Sequence, residues 1–121
     1  MSHQHLIVLY VRDPQASAAF YEQLLGTSAQ SMFPHYVSFA LNEGTALGLW
    51  SIAARDFKSG GRGHRGEVAF LVDTPEHVET LYRQWAEQGV RIEQPLHEAV
   101  FGLTFVALDL DDHRLRVCLP D

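Results

Sequence analysis

The residues of this chain whose types could do chemistry are seven histidines, Glu67, the spaced pair Arg114 and Arg116, one cysteine, and aromatic rings led by Tyr10 and Trp50. Histidines and carboxylates in a cluster hold divalent metals, and a nucleophile beside a base does group transfer. No Ser/His/Asp grouping and no paired-carboxylate spacing supplies a nucleophile or an acid/base pair here, so no catalytic residue is assigned. The histidines are scattered: His3 and His5 near the N-terminus, His35 and His97 at strand ends, His64 in a glycine-rich stretch, His77 in a first helical turn and His113 in a tight turn. Cys118 stands alone, which rules out an intrachain disulfide and a Cys-rich zinc site. What remains is binding chemistry, in which rings stack and arginines hydrogen-bond a carboxylate.

The composition narrows the partners. A chain of 121 residues that is 46% hydrophobic is expected to form one domain with its own core. The net charge of −6, without a Lys/Arg run, argues against a nucleic-acid partner. No apolar run is long enough for a membrane span and no signal segment is evident, so a cytoplasmic protein is expected. The partner is then a small molecule or a second copy of the chain.

The elements that must position these residues come in a repeated order. Leu6 to Val11 reads as a strand apolar on both faces. Asp13 and Pro14 cap and start a helix, Ala16, Ala19, Phe20 and Leu24 form its expected inner stripe, and Gly26 ends it. Ser28 to Met32 is an expected edge strand, and Tyr36 to Leu41 and Thr45 to Ile52 form a hairpin around Asn42, Glu43 and Gly44. The second half repeats this plan. Glu67 to Asp73 is a strand, Thr74 and Pro75 start a helix whose inner stripe is Val78, Leu81, Tyr82 and Trp85, and Gly89 stops it. Strands over Arg91 to Glu98, Val100 to Asp109 and Arg114 to Leu119 complete the second half.

At one constant offset Val11, Pro14, Phe20, Tyr21 and Gln23 lie over Val72, Pro75, Leu81, Tyr82 and Gln84. Val37 to Leu41 lies over Thr104 to Leu108, and Leu47 to Trp50 over Leu115 to Cys118 with one extra residue assigned to the turn. Two tandem βαβββ modules are therefore expected, about 5–52 and 67–120, joined by a linker over about 53–66. Gly60, Gly61, Gly63 and Gly66 mix there with Lys58, Arg62 and Arg65; without a strand before and a helix start behind, this is a connector rather than a phosphate loop. The fold class is α+β: a curved mixed sheet with helices outside and a concave cleft inside.

Period-2 alternation assigns faces. With Ile7, Leu9 and Val11 under the first helix, Leu6, Val8 and Tyr10 face the cleft. With Leu47 and Leu49 under the helix, Ala46, Gly48 and Trp50 face the cleft. In the second module Glu67, Ala69, Leu71, Arg114, Arg116 and Cys118 face inward.

These modules resemble the vicinal oxygen chelate superfamily, which includes glyoxalase I, extradiol dioxygenases, fosfomycin-resistance enzymes, and bleomycin- and phenazine-binding resistance proteins. The resemblance runs the full chain and is carried by Val11-Arg12-Asp13-Pro14, Phe20-Tyr21 and Leu24-Leu25-Gly26, then by Phe105 to Asp109 running into Asp111-Asp112-His113-Arg114-Leu115. In place of the family's usual proline and glycine in the last turn stand Leu110 and Asp112, and Asp tolerates the left-handed conformation better than most residues. The resemblance implies four metal-ligand positions, which here hold Leu6, Gly48, Glu67 and Arg116. One carboxylate among Leu, Gly and Arg makes no metal site, and no cofactor is expected.

The resemblance therefore implies a metal-independent binding module, in type like the bleomycin and phenazine resistance proteins, that sequesters a small apolar or aromatic compound as a homodimer. Its ligand-binding residues are expected to be Trp50, Tyr10, Gly48, Glu67, Arg114, Arg116 and Phe105: Trp50 as a stacking wall, Gly48 leaving space, an arginine orienting a carboxylate, and Glu67 paired with Arg116. Phe33, Tyr36 and Phe101 are candidates to extend the wall. The alternative is a metal-dependent enzyme of glyoxalase or dioxygenase type, using Glu67 together with His5. A small regulatory subunit whose cleft binds a metabolite is a third possibility.

Overall fold

Each helix begins where a side-chain acceptor precedes a proline. The computed structural model describes residues 5–55, 57–61, 63 and 66–120; His3, His64, Arg62 and Arg65 lie outside the described residues. In α1 (Pro14–Leu25) the Asp13 carboxylate accepts from the amides of Gln15 and Ala16, both at 3.1 Å. In α2 (Pro75–Glu87) Thr74 Oγ1 accepts from the His77 amide at 3.1 Å. These acceptors satisfy first-turn donors that a helix cannot pair internally. Gly26 closes α1 at φ 68°, a left-handed conformation that glycine adopts without a Cβ penalty.

The strands are β1 (His5–Val11), β2 (Ser31–Phe33), β3 (Tyr36–Asn42), β4 (Thr45–Ser51), β5 (Val68–Leu71), β6 (Arg91–Ala99), β7 (Gly102–Leu108) and β8 (Arg114–Cys118). They form two four-stranded mixed sheets, ordered β1-β4-β3-β2 and β5-β8-β7-β6. In each, the first strand of the module runs parallel to the last and the remaining pairs are antiparallel. The fold class is α+β, with two βαβββ modules, and the chain divides into compact units over 1–61 and 62–121. No helix among the described residues is long and apolar enough to cross a membrane.

The expected face assignments hold in the first strands of both modules. Val11 is fully buried while Leu6, Val8 and Tyr10 are exposed, and Val72 is buried while Ala69 and Leu71 are exposed. In α2 the inner stripe is as expected: Val78 and Trp85 are buried, with Leu81 and Tyr82 half-buried beside them.

Two expectations need correction in module one. The buried stripe of α1 is Pro14, Ser17, Ala18, Tyr21 and Leu24, leaving Ala16 and Ala19 exposed and Phe20 half-buried. Alanines flank both candidate stripes, so the pattern separates them weakly; Tyr21 decides, its ring lying 6.3 Å from that of Phe39 in the core. The short β2 starts at Ser31, not Ser28. The Ala29 amide donates to the Glu22 carboxylate of α1 at 3.1 Å, which holds it out of the strand ladder.

A larger correction concerns the second hairpin. Val37 pairs with Leu49 and Phe39 with Leu47, whereas Phe105 pairs with Val117 and Ala107 with Leu115. Phe105 is thus the counterpart of Val37, one position along from the expected alignment, and the hairpins superimpose at a single offset with no extra residue in the turn. A one-residue slip moves a side chain to the other face of the sheet. Phe105 accordingly lies under α2, fully buried, its ring 5.1 Å from Tyr82 and 5.4 Å from Trp85.

The turn between β7 and β8 sets the register of the strand that carries both arginines. Asp112 takes φ 66°, the left-handed conformation expected of it. The nearly buried Asp109 carboxylate accepts from the amides of Asp111 (3.0 Å) and His113 (2.8 Å), and its second oxygen meets His113 Nδ1 at 2.8 Å. Arg91 closes the turn from β6, donating to the Asp109 carbonyl and pairing with Asp112 at 2.6 Å. Burial pulls the His113 pKa down, but the Asp109 hydrogen bond and the charges of Asp109, Asp111 and Asp112 outweigh it, so the pKa stands above 6.5. A histidine raised on folding stabilises the fold below its unfolded value, and that contribution fades as pH rises through the folded value. His113→Gln should therefore lower the urea midpoint more at about pH 5.5 than at about pH 8.5; an equal loss at both values would show that His113 titrates normally.

Candidate functional site

One helix covers one face of each sheet, and the candidate residues other than Phe105, which lies under α2, are on or beside the other face. In module one this open face is read from the pairing: Leu6 beside Ala46, Val8 beside Gly48, and Tyr10 beside Trp50. β3 adds Tyr36 beside Trp50, Ser38 beside Gly48 and Ala40 beside Ala46. Leu6, Val8 and Tyr10 are 54%, 39% and 43% exposed. A face so apolar and so open is the kind that binds a ligand or a partner.

Tyr10 and Trp50, neighbours across parallel strands, have ring centroids 6.2 Å apart. The third ring comes from outside the sheet. Phe57 packs edge to face on Tyr10 at 5.0 Å and on Trp50 at 5.4 Å. Sequence reasoning missed Phe57 because it lies in the aperiodic linker, where no alternation assigns a face. Its only signal is a large aromatic just before the run of glycines.

Gly48 does not leave the expected space. A Cβ built there would lie 2.5 Å from the Tyr36 hydroxyl oxygen and 2.9 Å from the nearest ring carbon. The absent side chain is used by the Tyr36 ring, which folds over the strand. A concavity of about 560 Å³ opens instead at the hairpin end of the sheet, lined by His5, Leu6, Gln30, Ala40, Asn42 and Ala46 among others. Ala46 and Trp50 are four residues apart on one strand, so this concavity and the aromatic cluster are separated by about 13 Å.

In module two Glu67 and Arg116 are brought together as expected. Arg116 Nε donates to Glu67 Oε2, and Nη1 donates to Thr104 Oγ1 at 3.1 Å. Thr104 is fully buried and donates its own hydroxyl hydrogen to the Val117 carbonyl at 2.7 Å. The Phe101 ring, with its centroid 5.4 Å from Arg116 Cζ, covers the guanidinium. Arg114 is taken up separately: its Nε meets Glu93 at 2.8 Å, and that hydrogen bond, with the Glu93 charge, raises its pKa. The two arginines expected to orient a ligand are thus both engaged within the chain. Cys118, the counterpart of Trp50, is buried as a reduced thiol.

The donor set does not fit a divalent metal. At the four positions implied by the family resemblance, Leu6 and Gly48 offer no side-chain donor, Glu67 is engaged by a guanidinium, and Arg116 is itself a cation. His5 shares the parity of Ile7 and Leu9 along β1, opposite to Leu6. Among the described residues, no group of three or more His, Cys, Asp or Glu is arranged so that it could hold a metal ion.

Sequence and structure comparisons agree with this architecture. The profile of the glyoxalase/bleomycin resistance protein/dioxygenase superfamily matches residues 3–118. A phenazine antibiotic resistance protein, EhpR of Enterobacter agglomerans, is 28% identical over 97% of this chain and 92% of its own length. The solution structure of protein ATC0852 from Agrobacterium tumefaciens is 38% identical, with a TM-score of 0.84, and the match covers 100% of this chain and 99% of that one. A glyoxalase-related enzyme from Fulvimarina pelagi shares the fold at 21% identity and a TM-score of 0.82, over 99% of this chain and 89% of that one.

The Glu67–Arg116 pair is partly shielded, with side chains 34% and 17% exposed. Glu67→Gln should therefore cost about 1–2 kcal/mol of unfolding free energy, well below the roughly 3–5 kcal/mol of a fully desolvated pair. A double-mutant cycle with Arg116→Met, read by urea denaturation, should return a coupling of about 1 kcal/mol; strictly additive losses would mean that the pair contributes nothing.

Proposed function

The chain belongs to the glyoxalase/bleomycin resistance protein/dioxygenase superfamily, and from that membership we propose that it binds and sequesters a small apolar or aromatic compound without using a metal. The observation that carries this reading is the engagement of Glu67 by Arg116. Glu67 is the one metal-type donor among the four matched positions, and a fixed cation already neutralises it. Placing a divalent ion there would set two positive centres against each other and break a hydrogen-bonded pair to do so.

The chemical class of the compound is suggested by the open face of module one. Leu6, Val8, Ala46 and the Tyr10–Trp50 pair offer apolar area and π faces with no charged group among them, which favours a planar, largely apolar guest. The likeness to a phenazine resistance protein supports a fused aromatic ring system as the first to test. With no nucleophile or base assigned, the compound leaves unchanged. We place the activity in the cytoplasm, in a single domain built from both modules.

Titration with phenazine-1-carboxylate should give a saturable change in tryptophan fluorescence that is lost in Trp50→Phe. Trp85 should remain silent, since it is 3% exposed and enclosed by Phe70 and Phe105. An equal response from Trp50→Phe would remove Trp50 as the wall. Conversion of the compound to a product, together with about one bound metal per chain, would favour the glyoxalase- or dioxygenase-type alternative that uses Glu67 and His5.

A homodimer completes the proposal. β1 and β5 each end a sheet with one hydrogen-bonding edge outside its ladder, and such edges invite pairing with another chain. Light scattering at micromolar concentration should give twice the chain mass of 13.6 kDa. A monomer mass would refute the pairing through these edges.

A further inference from the structure

We propose that Phe57 is a displaceable plug: its ring occupies the aromatic slot on Tyr10 and Trp50 until a planar guest takes its place. The proposal rests on the reading of module one as the binding wall, and deepens it by naming the residue that controls access. It starts from the spacing of the rings. Centroid separations of 5.0, 5.4 and 6.2 Å close the cluster on itself. A flat guest sandwiched between two rings needs about 7 Å, two layers at carbon contact distance. No such gap exists among the three, so a ring must leave before a guest can stack.

Which ring leaves is decided by how each is held. Tyr10 and Trp50 sit opposite each other in the β1–β4 ladder, and Tyr36 of β3 pairs with Trp50 on its other side. Their backbones are thus fixed in ladders of a sheet whose opposite face is the core. Phe57 belongs to no strand or helix. Its backbone is nonetheless well placed. The buried Ser51 accepts the Ala53 amide on its hydroxyl and the Ala54 amide on its carbonyl, both at 3.0 Å, and the Ala54 carbonyl accepts the Phe57 amide at 3.0 Å. This short chain of bonds delivers the Phe57 Cα to the open face, while the half-buried side chain can rotate about χ1 without breaking a ladder bond.

The physical consequence is self-competition. In the free protein the plug covers apolar ring surface that would otherwise face water. A guest must replace two edge-to-face contacts, so its apparent affinity is lower than the bare Tyr10–Trp50 face would give. Small apolar molecules that cannot match both contacts are excluded, and an extended planar one is favoured.

The test compares wild type with Phe57→Ala and Phe57→Leu, using Trp50→Phe to subtract the Trp85 emission. Two quantities are read: acrylamide quenching of the Trp50 component without ligand, and the Kd for phenazine-1-carboxylate. Phe57→Ala should raise the quenching constant about twofold and tighten the Kd about fivefold, with Phe57→Leu between it and wild type. Unchanged quenching, or weaker binding by Phe57→Ala, would overturn the plug; the latter would mark Phe57 as a wall the guest needs. If neither wild type nor Phe57→Ala binds the compound while quenching rises, Phe57 stands as the cover over Trp50 and the phenazine reading falls.

Discussion

A four-stranded sheet has two faces, and each module of this chain supplies a single helix to cover them. That constraint shapes both modules. The parallel pairing of first and last strands, β1 with β4 and β5 with β8, places one at the edge and the other inside a sheet whose inner layer is buried under α1 or α2. Alternation then sends every second side chain of those strands to the face without a helix. The core is made on one side; the chemistry is left on the other.

The two open faces have diverged in character although their backbones repeat. In module one the paired positions carry Val8 with Gly48 and Tyr10 with Trp50, so the face is apolar and π-rich. In module two the corresponding pairs are Ala69 with Arg116 and Leu71 with Cys118. Arg116 there is satisfied by Glu67, Thr104 and the Phe101 ring, which makes it a structural cation as much as a potential ligand contact. A guanidinium that is tied to a carboxylate and stacked under an aromatic ring has lost rotamer freedom, and it stands at one of the four metal-ligand positions that the family resemblance implies.

Glycine at position 48 illustrates how such a face is filled locally. The missing Cβ is not an opening for a guest but the room into which Tyr36 folds from the neighbouring strand. Phe57 does similar work from the linker. In both cases an aromatic ring from an adjacent segment covers a position that the strand itself leaves small or apolar, which lowers the exposed hydrophobic area of the free protein.

Local chemistry in the sequence determined the modules themselves. Asp13-Pro14 and Thr74-Pro75 start the helices, Gly26 and Gly89 stop them, and the two-residue geometry of a strand divides β1 and β5 between their faces, because caps, φ preferences and side-chain alternation act over a few residues. The Glu67–Arg116 pair was legible for the same reason: side-chain alternation along β8 and back from β5 to Glu67 brings opposite charges together. Tertiary structure alone decided the rest. The α1 stripe turned on which of two alanine-flanked faces could seat Tyr21 against Phe39, and the face of Phe105 turned on a one-residue register set by the Asp109 turn. The position of Phe57 depended on a linker without periodicity. The first was settled by a contact between residues far apart in the chain, and the other two by turn and linker hydrogen bonds whose geometry no hydrophobic periodicity encodes.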